Sequence, residues 1–230
     1  MTADTPQDPS GERLRAAASD TVREGTDIRA RVHELTLLAL NSQRFDRAGM
    51  REVLRAVTEG AATGAEKSAT DMRLALAEAL AGMDQALRTS AEAGHLALKT
   101  LAATGKTFSD AEFKTALANL RKLEDDFLAT VGQVADATGA QVQPALREAL
   151  RNARKTGTET GKQVAYTMGD FAQKFSAASA DAAIAGLEAA GHFGARFAAV
   201  ASGVLGGLAD ALRGPAEKAS DRKDGPGKGG

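Results

Sequence analysis

Between Val164 and Leu212 the apolar residues recur at helical spacing. Plotted at about 98° per residue, the advance implied by an 11-residue repeat over three turns, they gather into one arc roughly 100° wide. Phe171, Phe193 and Val204 share one direction; Val164, Phe175, Phe197 and Leu208 lie to one side of it, Val200 to the other, and Met168 and Leu212 farther out. Asp170, Lys174, Asp181, Glu188, Arg196, Asp210 and Arg213 all fall outside the arc. The pattern predicts an amphipathic helix over 162–213 with one oily edge that needs a cover.

Upstream, the same spacing predicts three more long helices. The first, over about 11–41, carries Leu14, Ala18, Val22, Ile28, Val32, Leu35 and Ala39. The second, over about 46–104, opens with Asp46 as a cap and Phe45 packed on Met50; the third, over about 109–156, opens with a Ser109/Glu112 capping box and Phe108 packed on Phe113. Leu76, Leu87 and Leu98, like Met72, Met83 and Gly94, repeat every 11 residues, which keeps a stripe nearly straight along a helix. Weak points are expected at Gly60–Gly64, at 138–144 before Pro144, and at 155–162. The fold class expected is all-α: about four long amphipathic helices in an elongated bundle or open helical array, flanked by a flexible arm (1–10) and a disordered, Gly/Pro-rich tail (214–230).

Composition thins the expected core. Of 230 residues 43% are hydrophobic, but 50 are alanine; Leu, Ile, Val and Phe together number 43, just under the roughly 20% below which chains trend to disorder. The companion criterion, a high net charge, fails, since 29 basic residues face 30 acidic ones. Alanine favours helix and strand formers are scarce, so narrow helical seams are expected rather than a thick core. The absence of cysteine fits a reducing cytoplasm, and no apolar run near the start suggests a secretory leader. A net charge of −1 argues against nucleic acid as a partner. The longest charge-free run in the last helix, Phe197 to Ala209, makes about 20 Å of helix against a hydrocarbon core of about 30 Å, so no transmembrane span is expected.

Candidate chemistry changes little. Gly105-Lys106-Thr107 ends like a phosphate-binding loop but lacks its first glycine and a preceding strand. Glu92 and His95 form an E-x-x-H without a mate, since Glu188 and His192 have the wrong spacing; they read as solvated helix residues. His33, His95 and His192 have no local acid and nucleophile beside them. Glu124-Asp125-Asp126 reads as a solvated face. Arg147, Arg151 and Arg154, with Lys155 and Lys162 nearby, form a basic stripe that is either a plain surface or a site for an anionic partner such as phospholipid. No catalytic residue, metal or cofactor is expected.

An alanine-rich chain without cysteine or tryptophan, built of capped helices with an amphipathic C-terminal half, resembles the phasins over residues 46–213. These are small helical proteins that coat bacterial polyester storage granules, and the resemblance implies a coat rather than an enzyme. Locally, KTGTETGKQV also looks like the 11-residue repeats of late-embryogenesis-abundant desiccation proteins. The reading is a non-enzymatic helical protein that self-associates or coats a hydrophobic granule or membrane surface through the arc of 164–212. A soluble structural or regulatory bundle that binds another protein, or a stress-protective helical protein, is the alternative.

Overall fold

The computed structural model describes residues 9–42, 47–103 and 117–178. Among them the chain is all-α, but in seven helices rather than about four: α1 (Pro9–Glu24), α2 (Ile28–Ser42), α3 (Arg47–Glu66), α4 (Met72–Ala103), α5 (Leu123–Ala137), α6 (Gln143–Thr156) and α7 (Glu159–Ala178). Each of the first two expected helices is two, and the third is broken as well. The span 11–41 breaks where Gly25 (φ 73°) and Asp27 (φ 47°) turn left-handed, a conformation that ends one helix before the next begins. The span 46–104 breaks at 67–71, where Asp71 Oδ1 accepts from the N–H groups of Arg73 (2.9 Å) and Leu74 (3.1 Å) and starts α4. The third breaks at 138–142, with Pro144 in the first turn of α6. Between α6 and α7 only Gly157 and Thr158 are non-helical, so the loose region expected at 155–162 shrinks to two residues. The proposed starts at Phe45–Asp46 and Phe108–Phe113 lie outside the described residues.

The weak point expected at Gly60–Gly64 is a correction of another kind. Both glycines sit inside an unbroken α3. A Cβ on Gly60 would collide with the Arg15 carbonyl oxygen, and one on Gly64 with the Ser19 carbonyl oxygen. They are glycine because the α1 backbone crosses directly over them.

These approaches also fix direction. Arg15 with Gly60, Ser19 with Gly64 and Gly25 with Thr70 are each 45 residues apart, so α1 and α3 run parallel. Only four residues link α2 to α3, which spans at most roughly 18 Å, so α2 must fold back beside α1. The second hairpin, α3–α4, repeats this: Thr58 Oγ1 reaches Met83 Sδ at 3.7 Å across the antiparallel pair. The α2 helix then lies along α4, closest where Gly82 meets the Arg29 carbonyl oxygen. The remaining helices pack on the other side, α5 against α3 and α6 and α7 against α4. Arg51 with Asp126, Arg73 with Glu148, Asp84 with Glu159 and His95 with Asp170 are each 75 residues apart. The result is two layers, α1/α3/α5 and α2/α4/α6–α7, with α3 and α4 in the middle.

The seams close on small side chains. Ala18, Val22, Val32, Leu54, Val57, Ala75, Ala79 and Ala135 are almost wholly buried, and the 11-residue stripe of Leu76, Leu87 and Leu98 is fully so. Phe127 and Phe171 are the largest fully buried residues described. Exposed ion pairs, Arg15–Glu59 (2.7 Å) and Arg29–Glu78 (2.8 Å), tie the stacked hairpins, but each is worth no more than about 1 kcal/mol. Asp126 is different: it is buried, and Arg47 (2.5 Å) and Arg51 (2.6 Å) both hold it, joining α3 to α5. The glutamate-aspartate run expected to be a solvated face therefore divides, with Asp126 turned inward.

Two predictions follow from this packing. Alanine in a helix interior ordinarily stabilises over glycine by about 1 kcal/mol, and Gly169→Ala, with nothing within 4 Å of its added Cβ, is expected to do so. Gly64→Ala is expected to destabilise by about 1–3 kcal/mol, because the methyl meets backbone that cannot move aside; urea unfolding of both variants reads the opposite signs. The second concerns acid. Hydrogen bonds from Arg47, then Arg51, hold the Asp126 carboxyl below its ordinary value of 3.8. A depressed folded-state value means the stabilisation is complete above the unfolded value and is lost as pH falls through the folded one. The stability gap between the wild type and Asp126→Asn is therefore expected to be constant from neutral pH to about 5 and to close below about 4, measured by urea titration at each pH.

Candidate functional site

The helix that carries the predicted apolar arc begins at α7, and its start is held by two other helices. The Asp84 carboxylate of α4 accepts from the N–H groups of Glu159 (2.8 Å) and Thr160 (3.0 Å), and the Thr160 hydroxyl donates to the Asp84 carbonyl oxygen (3.0 Å). The Thr158 hydroxyl donates to Glu124 of α5 (2.5 Å) and accepts from the Gly161 N–H (2.8 Å). First-turn amides are the unsatisfied donors of any helix. Here a neighbouring helix supplies the acceptor that is usually local, so α7 can start in only one register against α4. Gly157, at φ 75° and ψ 156°, makes the turn that permits it.

Farther along the same seam, His95 corrects the expectation of a solvated residue. It is 5% exposed. Its Nε2 stands 3.6 Å from Asp170 Oδ2, beyond hydrogen-bond range but within reach of an ion pair. Its ring lies 5.5 Å from that of Tyr166 and 5.4 Å from that of Phe171. Glu92 is exposed, so the E-x-x-H pair does not converge. Among the described residues no group of three or more His, Asp or Glu side chains is placed to hold a metal ion.

The predicted apolar arc divides at the edge of the described region. Val164 and Phe171 are buried and Met168 half-buried, all three at the core. Phe175 belongs to α7; Phe193, Phe197, Val200, Val204, Leu208 and Leu212 lie outside the described residues. Of the basic stripe, Arg147 is drawn off by Asp136 on α5 at 2.8 Å. Arg151 and Arg154 stay exposed on α6, beside Lys155.

One concavity escaped the sequence reading. A cleft of 390 Å³ opens between the heads of α2 and α4, lined by Gly25, Asp27, Arg29, His33, Leu74 and Glu78 among others. Burial, more than the Arg88 charge, lowers the His33 pKa despite Glu34, which favours the neutral imidazole. Its Nε2 is buried without a hydrogen-bond partner. No sequence signal marks this cleft, because its walls come together only when the turn at Gly25 stacks on that at Thr70. Arg29 and Glu78 already satisfy one another across it.

No helix among the described residues is long and apolar enough to cross a membrane. A family model matches residues 4–214. The chain belongs to DUF6781, a family of unknown function. The match takes in all seven helices of this DUF6781 chain and the whole apolar arc to Leu212. No curated protein and no solved structure matches it.

The borrowed cap at the head of α7 yields a prediction. Asp84→Ala is expected to cost about 0.5–2 kcal/mol, the usual loss for a missing N-cap acceptor. Hydrogen exchange localises the effect: the Glu159 and Thr160 amides are expected to lose protection while those of α1 and α3 keep theirs.

Proposed function

We propose that the protein is a non-enzymatic helical interaction protein that covers an apolar surface, or associates with further copies of itself, through the arc of residues 164–212. One observation carries the reading. The α7 helix runs beside α4 at an offset of 75 residues, which puts Ala178 of α7 level with Ala103 of α4. In the sequence the arc continues for 34 residues more, to Leu212. Along α7, Val164, Met168 and Phe171 lie at the core, so the arc takes an apolar cover where it is described, and the same pattern runs on in the sequence.

The magnitudes support a partner. Covering Phe193, Phe197, Val200, Val204, Leu208 and Leu212 is worth about 10–15 kcal/mol as an upper bound. An isolated helix of this composition is marginal in water. The surface intended is the boundary of a hydrophobic granule or the face of a membrane, lying along the arc as interfacial helices do. A second reading, a structural or regulatory bundle that binds another protein, draws support from the burial of Val164 and Phe171, which shows that this arc can pack on protein.

The test is flotation of the full chain with triacylglycerol droplets, with circular dichroism on the same samples. The wild type is expected to float and gain helicity, and Phe193→Glu with Phe197→Glu to stay at the bottom. A wild-type chain that remains at the bottom, monomeric by sedimentation at every concentration and unchanged in helicity, overturns the proposal and leaves the protein-binding reading.

A further inference from the structure

Among the described residues, three cations on α6 have no carboxylate to answer them. Arg151, Arg154 and Lys155 are exposed, and at spacings of three and four residues they share one face of the helix, away from the buried Leu146 and Leu150. The nearby acids are taken. Asp136 holds Arg147 (2.8 Å), Glu148 faces Arg73 (3.4 Å), and Glu159 holds Lys162 (2.6 Å).

Local electrostatics explains only part of this. Arg154 and Lys155 lie in the last turn of α6, where the helix dipole favours cations. Arg151 lies a turn earlier and gains less, and the three repel one another. The chain as a whole is balanced at −1, so the cluster is not the by-product of a basic protein.

The ridge continues past α6. Because α6 and α7 follow one another along α4, the exposed side of α7 extends it, bringing Lys162 and Tyr166, which is 63% exposed. Along the exposed side from Arg147 to Tyr166, cations come first and an aromatic ring with a polar tip stands at the far end. Exposed side chains spread along two successive helices suit a broad surface rather than a small ligand. Cations with a tyrosine at headgroup depth are the side chains that suit a phospholipid interface. Duplex DNA fits less well, because three free cations neutralise few phosphates.

We propose that this ridge, Arg151, Arg154 and Lys155 with Tyr166, docks on the anionic headgroups of a phospholipid surface. It is a second contact, on a different face from the arc that α7 turns toward the core, and it stands or falls separately from the coating reading above.

The experiment uses the full chain with vesicles of phosphatidylcholine alone or mixed with phosphatidylglycerol, at low and high salt. Arg151→Gln with Arg154→Gln is compared with Arg55→Gln with Lys67→Gln, which removes the same charge from elsewhere on the surface. All four positions are exposed, and circular dichroism checks that both variants stay folded. The wild type is expected to prefer phosphatidylglycerol vesicles in a salt-sensitive way. The ridge variant is expected to lose roughly thirtyfold of that partitioning, the worth of two cations near such a surface, and the control variant little. Equal loss in both variants, no preference between the vesicles, or a tighter interaction with a DNA duplex that the ridge variant abolishes overturns the proposal. Droplet flotation by the ridge variant, unchanged from wild type, separates the outcome from that of the apolar arc.

Discussion

Two backbones in contact are the constraint on which the rest of this structure depends. At Gly60 and Gly64 the carbonyl oxygens of Arg15 and Ser19 stand where a side chain would begin, and at Gly82 the Arg29 carbonyl does the same. A chain with 50 alanines and few large apolar residues cannot fill a wide gap between helices. It closes the gap instead, and dispersion contacts between closely packed small groups replace the burial of bulky ones. Close approach tolerates no slippage, because moving a helix by one residue puts a Cβ where a glycine was. Parallel stacking in a fixed register follows, first of α1–α2 on α3–α4 and then of α5–α7 on the other side.

Helix class was legible in the residues themselves. Alanine content and the spacing of Leu76, Leu87 and Leu98 led to helix and to the buried stripe, and Pro144 marked a true break. The number of helices was not read, although the signals were present. In EGTDIRARV, Gly25 can end a helix and Asp27 precedes the next, and in SATDMRLAL, Asp71 is an N-cap before an apolar run. Apolar spacing continued in phase across both breaks and hid them. Gly60 and Gly64 were misread for the opposite reason. A glycine that loosens a helix and one that admits another backbone are the same letter, and only the α1 carbonyls distinguish them.

The seam that holds α7 was the least legible part. Its contacts join residues 75 apart, and most are polar. Asp84 caps a helix that begins 75 residues later, and His95 meets Asp170. Nothing local to Asp84 or His95 announces these roles, so His95 looked like one more solvated helix position. The cleft at His33 was invisible for the same reason, being made by the stacking of two turns.

Polar contacts of this kind set register more than they set affinity. A buried or half-buried polar group is costly to leave unanswered, so Asp84 and Thr160 accept only one placement of α7, whereas an alanine seam by itself would tolerate several. The apolar anchorage along the same stretch is slight: Val164 and Phe171 are buried, Met168 partly, and two of the other buried positions, Thr160 and Thr167, are threonines. The arc that α4 covers there is the one that runs on in the sequence to Leu212. A surface that engaged the continuation would take a later stretch of the same sequence pattern, while α4 keeps the stretch it already covers. The polar contacts at the head of α7 make that division possible, because they hold its first turn in place whatever lies against the rest of the arc.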